Sequence, residues 1–149
     1  GAAVIYTNYG VAAYQNGQVS EARQLFRYAV EIYTDSHEYS EYPIALSYLA
    51  LYDAQEQNYS KAAEKLTEAL TLCETIGSPW WKGITLFMLW KIRQLMKERQ
   101  QSCGELEAFW PAPEEEHCRW CLSCLQKLPP RIETTEMEHE LLRISQGTL

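Results

Sequence analysis

The stretch "HCRWCLSC" gathers His117, Cys118, Cys121 and Cys124 within eight residues. Imidazole and thiolate are the ligands of structural zinc, and a CxxCxxC spacing also serves iron–sulfur clusters. Both chemistries need a chain that bends its ligands around the ion, and this segment contains no Gly or Pro to form a knuckle. On a continuous helix, residues three apart drift by ~60°, so three cysteines make a stripe and not a tetrahedron. Cys118, Cys121, Leu122, Leu125 and Leu128 trace one amphipathic face, and free cysteine behaves as a small hydrophobe. The expectation is core packing with no metal ligands. Cys103 is the other thiol near this group.

The remaining reactive residues are more scattered. His37 and His139 sit in polar stretches and have no sequence-level partner for a catalytic pair. Glu114–Glu116 reads as a solvated helix start, not as a pair of working carboxylates. Trp80-Trp81 could form a ligand platform, but tryptophan in the first turn of a packed helix acts as a wedge. No glycine-rich phosphate loop is present. No catalytic residue and no cofactor is assigned, and the chain is expected not to be an enzyme.

Apolar residues make up 46% of the 149, enough for one domain with a sizeable core. The net charge of −7 repels phosphate, so neither nucleic acid nor an anionic membrane is an expected partner. The one dense basic run is "KIRQLMKER", Lys91–Arg99. The longest apolar run, Ile84–Trp90, is far short of the ~20 residues that span a bilayer. No basic stretch precedes an apolar one at the start, so no signal peptide is expected there. The chain opens on Gly1 and not on Met, which suggests one piece of a longer protein. Five cysteines form an odd set without a disulfide framework, the usage of a reduced, cytoplasmic protein.

The elements that would carry these residues repeat. A shift of forty aligns Ser20 with Ser60, Ala22 with Ala62, Phe26 with Leu66, Ala29 with Ala69 and Ile32 with Leu72. It also aligns Val4 with Ile44, Tyr6 with Leu46, Tyr9 with Leu49 and Gly10 with Ala50. A further forty reaches Ile84, Leu86, Leu89 and Trp90, after which Ser102 and Phe109 fall where alanines should stand. Spacings of three and four predict helices, two per repeat. Gly17 separates the first pair, and Ser20 and Ser60 are the expected N-caps of the second helices. Pro43 and Pro79 stand at the starts of later first helices, with Gly77-Ser78 as helix end and cap. Gly10, Ala22 and Ala29 are expected where a neighbouring backbone passes close. Tyr6, Tyr9 and Phe26 are expected to fill the space between. Asp53 and Arg93, one repeat apart, are expected to face each other.

The spacing Tyr6, Tyr9-Gly10, Tyr14, Gly17, Val19, Ala22, Phe26, Ala29 resembles the tetratricopeptide repeat, with a lengthened period of about forty against the usual ~34. Leu46, Leu49-Ala50, Tyr59, Ala62, Leu66 and Ala69 form the second copy. The resemblance implies an all-α fold of helical hairpins stacked as a right-handed solenoid. Residues 1–100 would hold two full repeats and one half. Residues 101–149 would form a helical C-terminal cap of the same domain, with "EEEHCRWCLSCLQKL" as one helix. Thr135 and Glu138 would make the capping box of the last helix, which would end at Gly147. "GSPWWKGITLFML" is similar to inter-repeat segments in regulatory domains of bacterial signalling proteins and transcription activators.

What the resemblance implies for function is a concave groove lined by the first helices. By register it would present Val4, Thr7, Asn8, Val11 and Gln15, then Ile44, Ser47, Tyr48, Leu51 and Gln55, then Phe87, Met88 and Lys91. Repeats that grip a C-terminal carboxylate use lysine and asparagine where this chain has Thr7 and Val11, so that ligand is not expected. The expected function is a non-enzymatic interaction module, a scaffold or adaptor holding a peptide or helix. The alternative is the sensor domain of a larger bacterial regulator, binding a small ligand or signalling peptide. Self-association through the solenoid ends is a further expectation.

Overall fold

A computed structural model describes residues 1–110, 113–127 and 132–145, and the described residues are all-helical, with no strand. The helices are α1 (Ala2–Gln15), α2 (Val19–Ser36), α3 (Tyr42–Gln55), α4 (Tyr59–Ile76), α5 (Pro79–Arg99), α6 (Gly104–Glu107), α7 (Glu114–Leu125) and α8 (Ile132–Ser145). The forty-residue period is built into the backbone. Helices α1 and α3 have 14 residues each and α2 and α4 have 18, in register to the residue. Helix α5 starts at Pro79, ahead of that register, and runs for 21 residues.

The turns repeat with the helices. Gly17 ends the first helix at φ 81°, and Gln57 and Gln100 take the same left-handed place at φ 65° and 55°. At each turn the next amide reaches back into the last helical turn: Gln18 N to Ala13 O (2.9 Å), Asn58 N to Asp53 O (2.8 Å), Gln101 N to Met96 O (3.0 Å). These bonds satisfy carbonyls that a helix end leaves bare. The N-caps of α2 and α4 are Gln18 and Asn58, which correct the expectation for Ser20 and Ser60. Both serines lie inside the first turn, because the preceding turn already delivers the chain in helical direction. Ser78 does cap α5, accepting from Trp81 N at 3.3 Å.

Helix α1 pairs with α2, α3 with α4, and α5 with α7; α3 also touches α1 and α5, while α2 packs on α3 and α4 on α5. Close crossings are made by small residues. A Cβ on Gly10 would stand 2.7 Å from the Phe26 ring, and one on Gly83 would stand 2.9 Å from Leu125. Ala22, Ala29, Ala62 and Ala69 are fully buried. Phe26 stacks on Tyr48 of α3 with centroids 4.6 Å apart, so one ring joins three helices. Tyr9 does not fill an interhelical space as expected; it is 62% exposed, while Tyr6 is half-buried against Tyr28.

The C-terminal part departs from expectation in two places. Helix α7 does not merely cap the stack but lies along α5 as its hairpin partner, after α6 has packed against α4. Helix α8 begins at Ile132, so Thr135 is an internal residue and not a cap. Gly147, Leu128, Pro111 and Pro129-Pro130 lie outside the described residues. Asp53 pairs with Lys65 of α4, and Arg93 lies over the Trp110 ring at 4.7 Å, in place of the expected Asp53–Arg93 contact.

The basic run is spent inside the fold. Arg99 donates to Ala54 O (2.9 Å) and Gln55 O (2.8 Å), closing the end of α3 from the end of α5. A cation at a helix C-terminus satisfies bare carbonyls and the helix dipole together. Arg99→Ala is therefore expected to cost about 1.5–3 kcal/mol in urea denaturation, the range for hydrogen bonds to a charged group. An unchanged midpoint would show that solvent serves those carbonyls equally well.

Candidate partner groove

The first helices α1, α3 and α5 stand side by side, and their shared face is where a partner was expected. Its residues fall into three sets. Thr7 and Ser47 are fully buried and unavailable to any partner, which corrects their assignment. Thr7 Oγ1 donates to Ala3 O (2.8 Å) and accepts from the Tyr33 hydroxyl (3.2 Å), tying α1 to α2. Ser47 Oγ and Thr85 Oγ1, 2.8 Å apart, tie α3 to α5. Short hydroxyls sit there because close helices leave no room for longer side chains, and each finds the partner that burial demands.

The second set lines two small cavities. The first, about 200 Å3, is bounded by Gln15 of α1, Tyr48 of α3 and Phe87, Met88 and Lys91 of α5. The second, about 230 Å3, is bounded by Leu51 and Gln55 of α3 and by Trp90, Lys91 and Gln94 of α5. Tyr14 borders both, its ring edge-on to Tyr48 at 5.2 Å. Apolar walls with amide and ammonium groups at the rim can hold a side chain and the backbone beside it. The third set stays outside: Val4, Asn8 and Val11 line neither cavity, and Ile44 is buried.

Helix α8 reaches this face. Glu136, Met137 and Glu140 join the wall of the first cavity, and Glu140 joins the second. Met137 is 5% exposed and Leu141 fully buried, while Glu140 Oε2 lies 3.5 Å from Lys91 Nζ. The same ammonium stands 5.5 Å from the centre of the Phe87 ring. None of these α8 residues, nor Tyr14, Trp90 or Gln94, was assigned to the groove from sequence. Met137 and Leu141 at i, i+4 mark an apolar stripe on α8, but that spacing does not say which face receives it.

The cysteine stripe lies elsewhere. His117, Cys118 and Cys121 are buried at the α5–α7 contact and Cys124 is half-buried. His117 Nε2 donates to Leu86 O (2.9 Å) and Cys121 Sγ to Gly83 O (3.2 Å). Burial pushes Cys118 up to about 11 and Cys121 well above the ordinary thiol value, so both stay protonated and weakly nucleophilic. Among the described residues no three His, Cys, Asp or Glu side chains come together in a way that could hold a metal ion. His37 and His139 are exposed, Trp80 is buried and Trp81 half-buried. Of the three glutamates, Glu114 is half-buried and bonds Gln94 and Lys97. A larger opening of about 790 Å3 lies by α5, α7 and Ile144, and its charges meet one another, as in Lys97–Glu114 at 3.7 Å.

No described helix is long and apolar enough to cross a membrane. Comparison of the chain with protein-family models, with curated proteins and with solved structures finds no match.

Proposed function

We propose that the protein is a non-enzymatic interaction module, a tetratricopeptide-type scaffold whose first-helix face holds an amphipathic helix or peptide. One observation carries this reading: a helix, α8, packed on α7, already reaches the face, with Met137 in the wall of the first cavity and a Lys91–Glu140 ion pair. Hairpins α1–α2, α3–α4 and α5–α7, each leaning on the next, support a right-handed stack whose concave side would be that face. Cavities of about 200 and 230 Å3 suit single side-chain anchors better than a whole small molecule, whose pockets run to ~300–1,000 Å3. Free thiols support a reducing, cytoplasmic setting.

The test is fluorescence anisotropy with a panel of helical peptides carrying apolar residues at i and i+4 and a glutamate before the second. The peptide of residues 132–145 serves as the reference sequence. Wild type is expected to bind members of this class, and Lys91→Glu to weaken them about tenfold, equivalent to ~1.4 kcal/mol. Cys124→Ala, on α7, is expected to leave binding unchanged. Binding that ignores Lys91→Glu, or no binding by wild type, would remove the groove reading.

A further inference from the structure

An opening of about 360 Å3 lies where the first two hairpins meet, lined by residues of α2, α3 and α4. Val30 of α2 and Leu49 of α3 give it an apolar surface. Arg23 and Arg27 of α2 and Lys61 and Lys65 of α4 bring four cations to it. The chain has 13 Lys and Arg against 20 Asp and Glu, so this is a local gathering of the minority sign. A cleft lined mainly by one sign of charge focuses its field on whatever enters.

The fold uses only half of that charge. Arg23 pairs with Glu56 and Lys65 with Asp53. Arg27 and Lys61 make no ion pair among the described residues, although Glu31 also borders the opening, one turn on from Arg27. Each helix sets like charges one turn apart, Arg23–Arg27 and Lys61–Lys65, a spacing that weakens a helix. The repeat does not ask for it. Forty residues on, the same four places hold Ala63, Thr67, Gln101 and Glu105, with no cation among them. Glu56 registers the field: the bond from Arg23 first, then the charges of Arg23, Arg27 and Lys61, hold its carboxyl below the usual value. Repulsion inside two helices, with no return from the fold, points to a negative charge supplied from outside.

We propose that this opening binds a small organic dianion, a phosphate monoester or a dicarboxylate carried on an apolar body. Arg27 and Lys61 take the anionic head, the planar guanidinium meeting two oxygens at once, and Val30 and Leu49 receive the body. Two unspent positive charges match two negative ones. The volume of about 360 Å3 falls within the ~300–1,000 Å3 of small-molecule sites, which the groove cavities do not reach. The net charge of −7 does not forbid such a ligand, because charges beyond ~8 Å are screened at physiological salt, while these cations border the site itself. None of the lining residues borders the groove cavities, so the proposal stands apart from the groove reading.

Isothermal titration of the full chain with phenyl phosphate and with phenylsuccinate is the test, with inorganic phosphate and succinate as the heads without the body. Wild type is expected to bind at least one of the two aromatic probes at a single site with Kd at or below about 1 mM. The tighter of the two identifies the head, and the matching bare head is expected to bind at least about tenfold more weakly. Arg27→Gln and Lys61→Gln are each expected to weaken binding about tenfold. The thermal midpoint of either free variant is expected to be unchanged or raised, because each relieves a like-charge pair. Lys97→Gln, at an exposed cation away from the opening, is the control expected to match wild type. Binding of neither aromatic probe overturns the proposal, as does an equal loss in Lys97→Gln. A bare head that binds as tightly as its aromatic probe overturns the organic ligand. A lowered midpoint in both Arg27→Gln and Lys61→Gln also overturns the proposal, since the two charges would then serve the fold.

Discussion

Phe26→Ala is expected to destabilise the fold by about 3–5 kcal/mol, the cost of deleting a buried aromatic ring and leaving its cavity. Phe26 is fully exclusive of solvent, stacked on Tyr48 and pressed against the hydrogen-only face of Gly10. Its loss removes contact from α1, α2 and α3 at once, and no neighbour can collapse into the gap without breaking the stack. Urea denaturation measures the loss. A double-mutant cycle identifies the cause: Gly10→Ala is expected to destabilise wild type, where the new methyl meets the ring at 2.7 Å. It should be close to neutral, or helpful, once the ring is gone. Additive effects, or a loss under about 1 kcal/mol for Phe26→Ala, would mean that this crossing does not hold the first hairpin to the second.

The second large effect is acid sensitivity set by His117. Burial holds its imidazole below the ordinary value of 6.5, and the bond to Leu86 O only partly offsets that. Nε2 donates to that carbonyl, which leaves Nδ1 as the buried nitrogen without a hydrogen-bond partner. A second proton there would sit in the core with no acceptor. The unfolded chain takes up that proton near pH 6.5 and the folded chain does not, so stability is full above about pH 7 and falls as the pH drops through 6.5. The decline should flatten only below the folded value. His117→Gln is expected to be less stable at neutral pH but to lose this part of the decline, because the buried imidazole that causes it is gone. Parallel stability–pH curves for the two proteins between pH 5 and pH 8 would assign the acid limb to other groups.

How much of this could be read from the chain alone depends on whether a feature repeats. Two helices per repeat through residue 76 were legible because α1–α2 and α3–α4 share one period and one turn. The caps were not, because Gln18 and Asn58 hold those places through backbone bonds and leave no side-chain signature. Gln57 and Gln100 likewise hide two left-handed turns that only Gly17 announces. The helix that completes α5 was illegible for another reason. Loop and α6 stand between α5 and α7, so the three–four spacing of α7 said that it was a helix but not where it lay. In the groove, Gln15, Tyr48, Leu51, Gln55, Phe87, Met88 and Lys91 do border cavities. Thr7 and Ser47 were misassigned because the same register serves a contact face and a crossing one residue apart. Placement of α8 follows from tertiary packing of Met137 and Leu141, which no local pattern encodes.

The delayed partner of α5 has a consequence for synthesis. Helices α2 and α4 leave the ribosome directly after the helices they cover, separated by a single short turn. Helix α5 has no such companion: the side that will receive His117, Cys121 and Leu125 is complete at Arg99, but its cover ends only at Leu125. At roughly 5–20 residues per second, that face stays bare for about 1–5 s on every nascent chain. The interval falls when two hairpins are already able to fold and a third helix offers Gly83, Leu86 and Trp90 to whatever is nearby. A chaperone that waits on short apolar stretches would find its opening there, and a pause in translation within residues 100–125 would lengthen it.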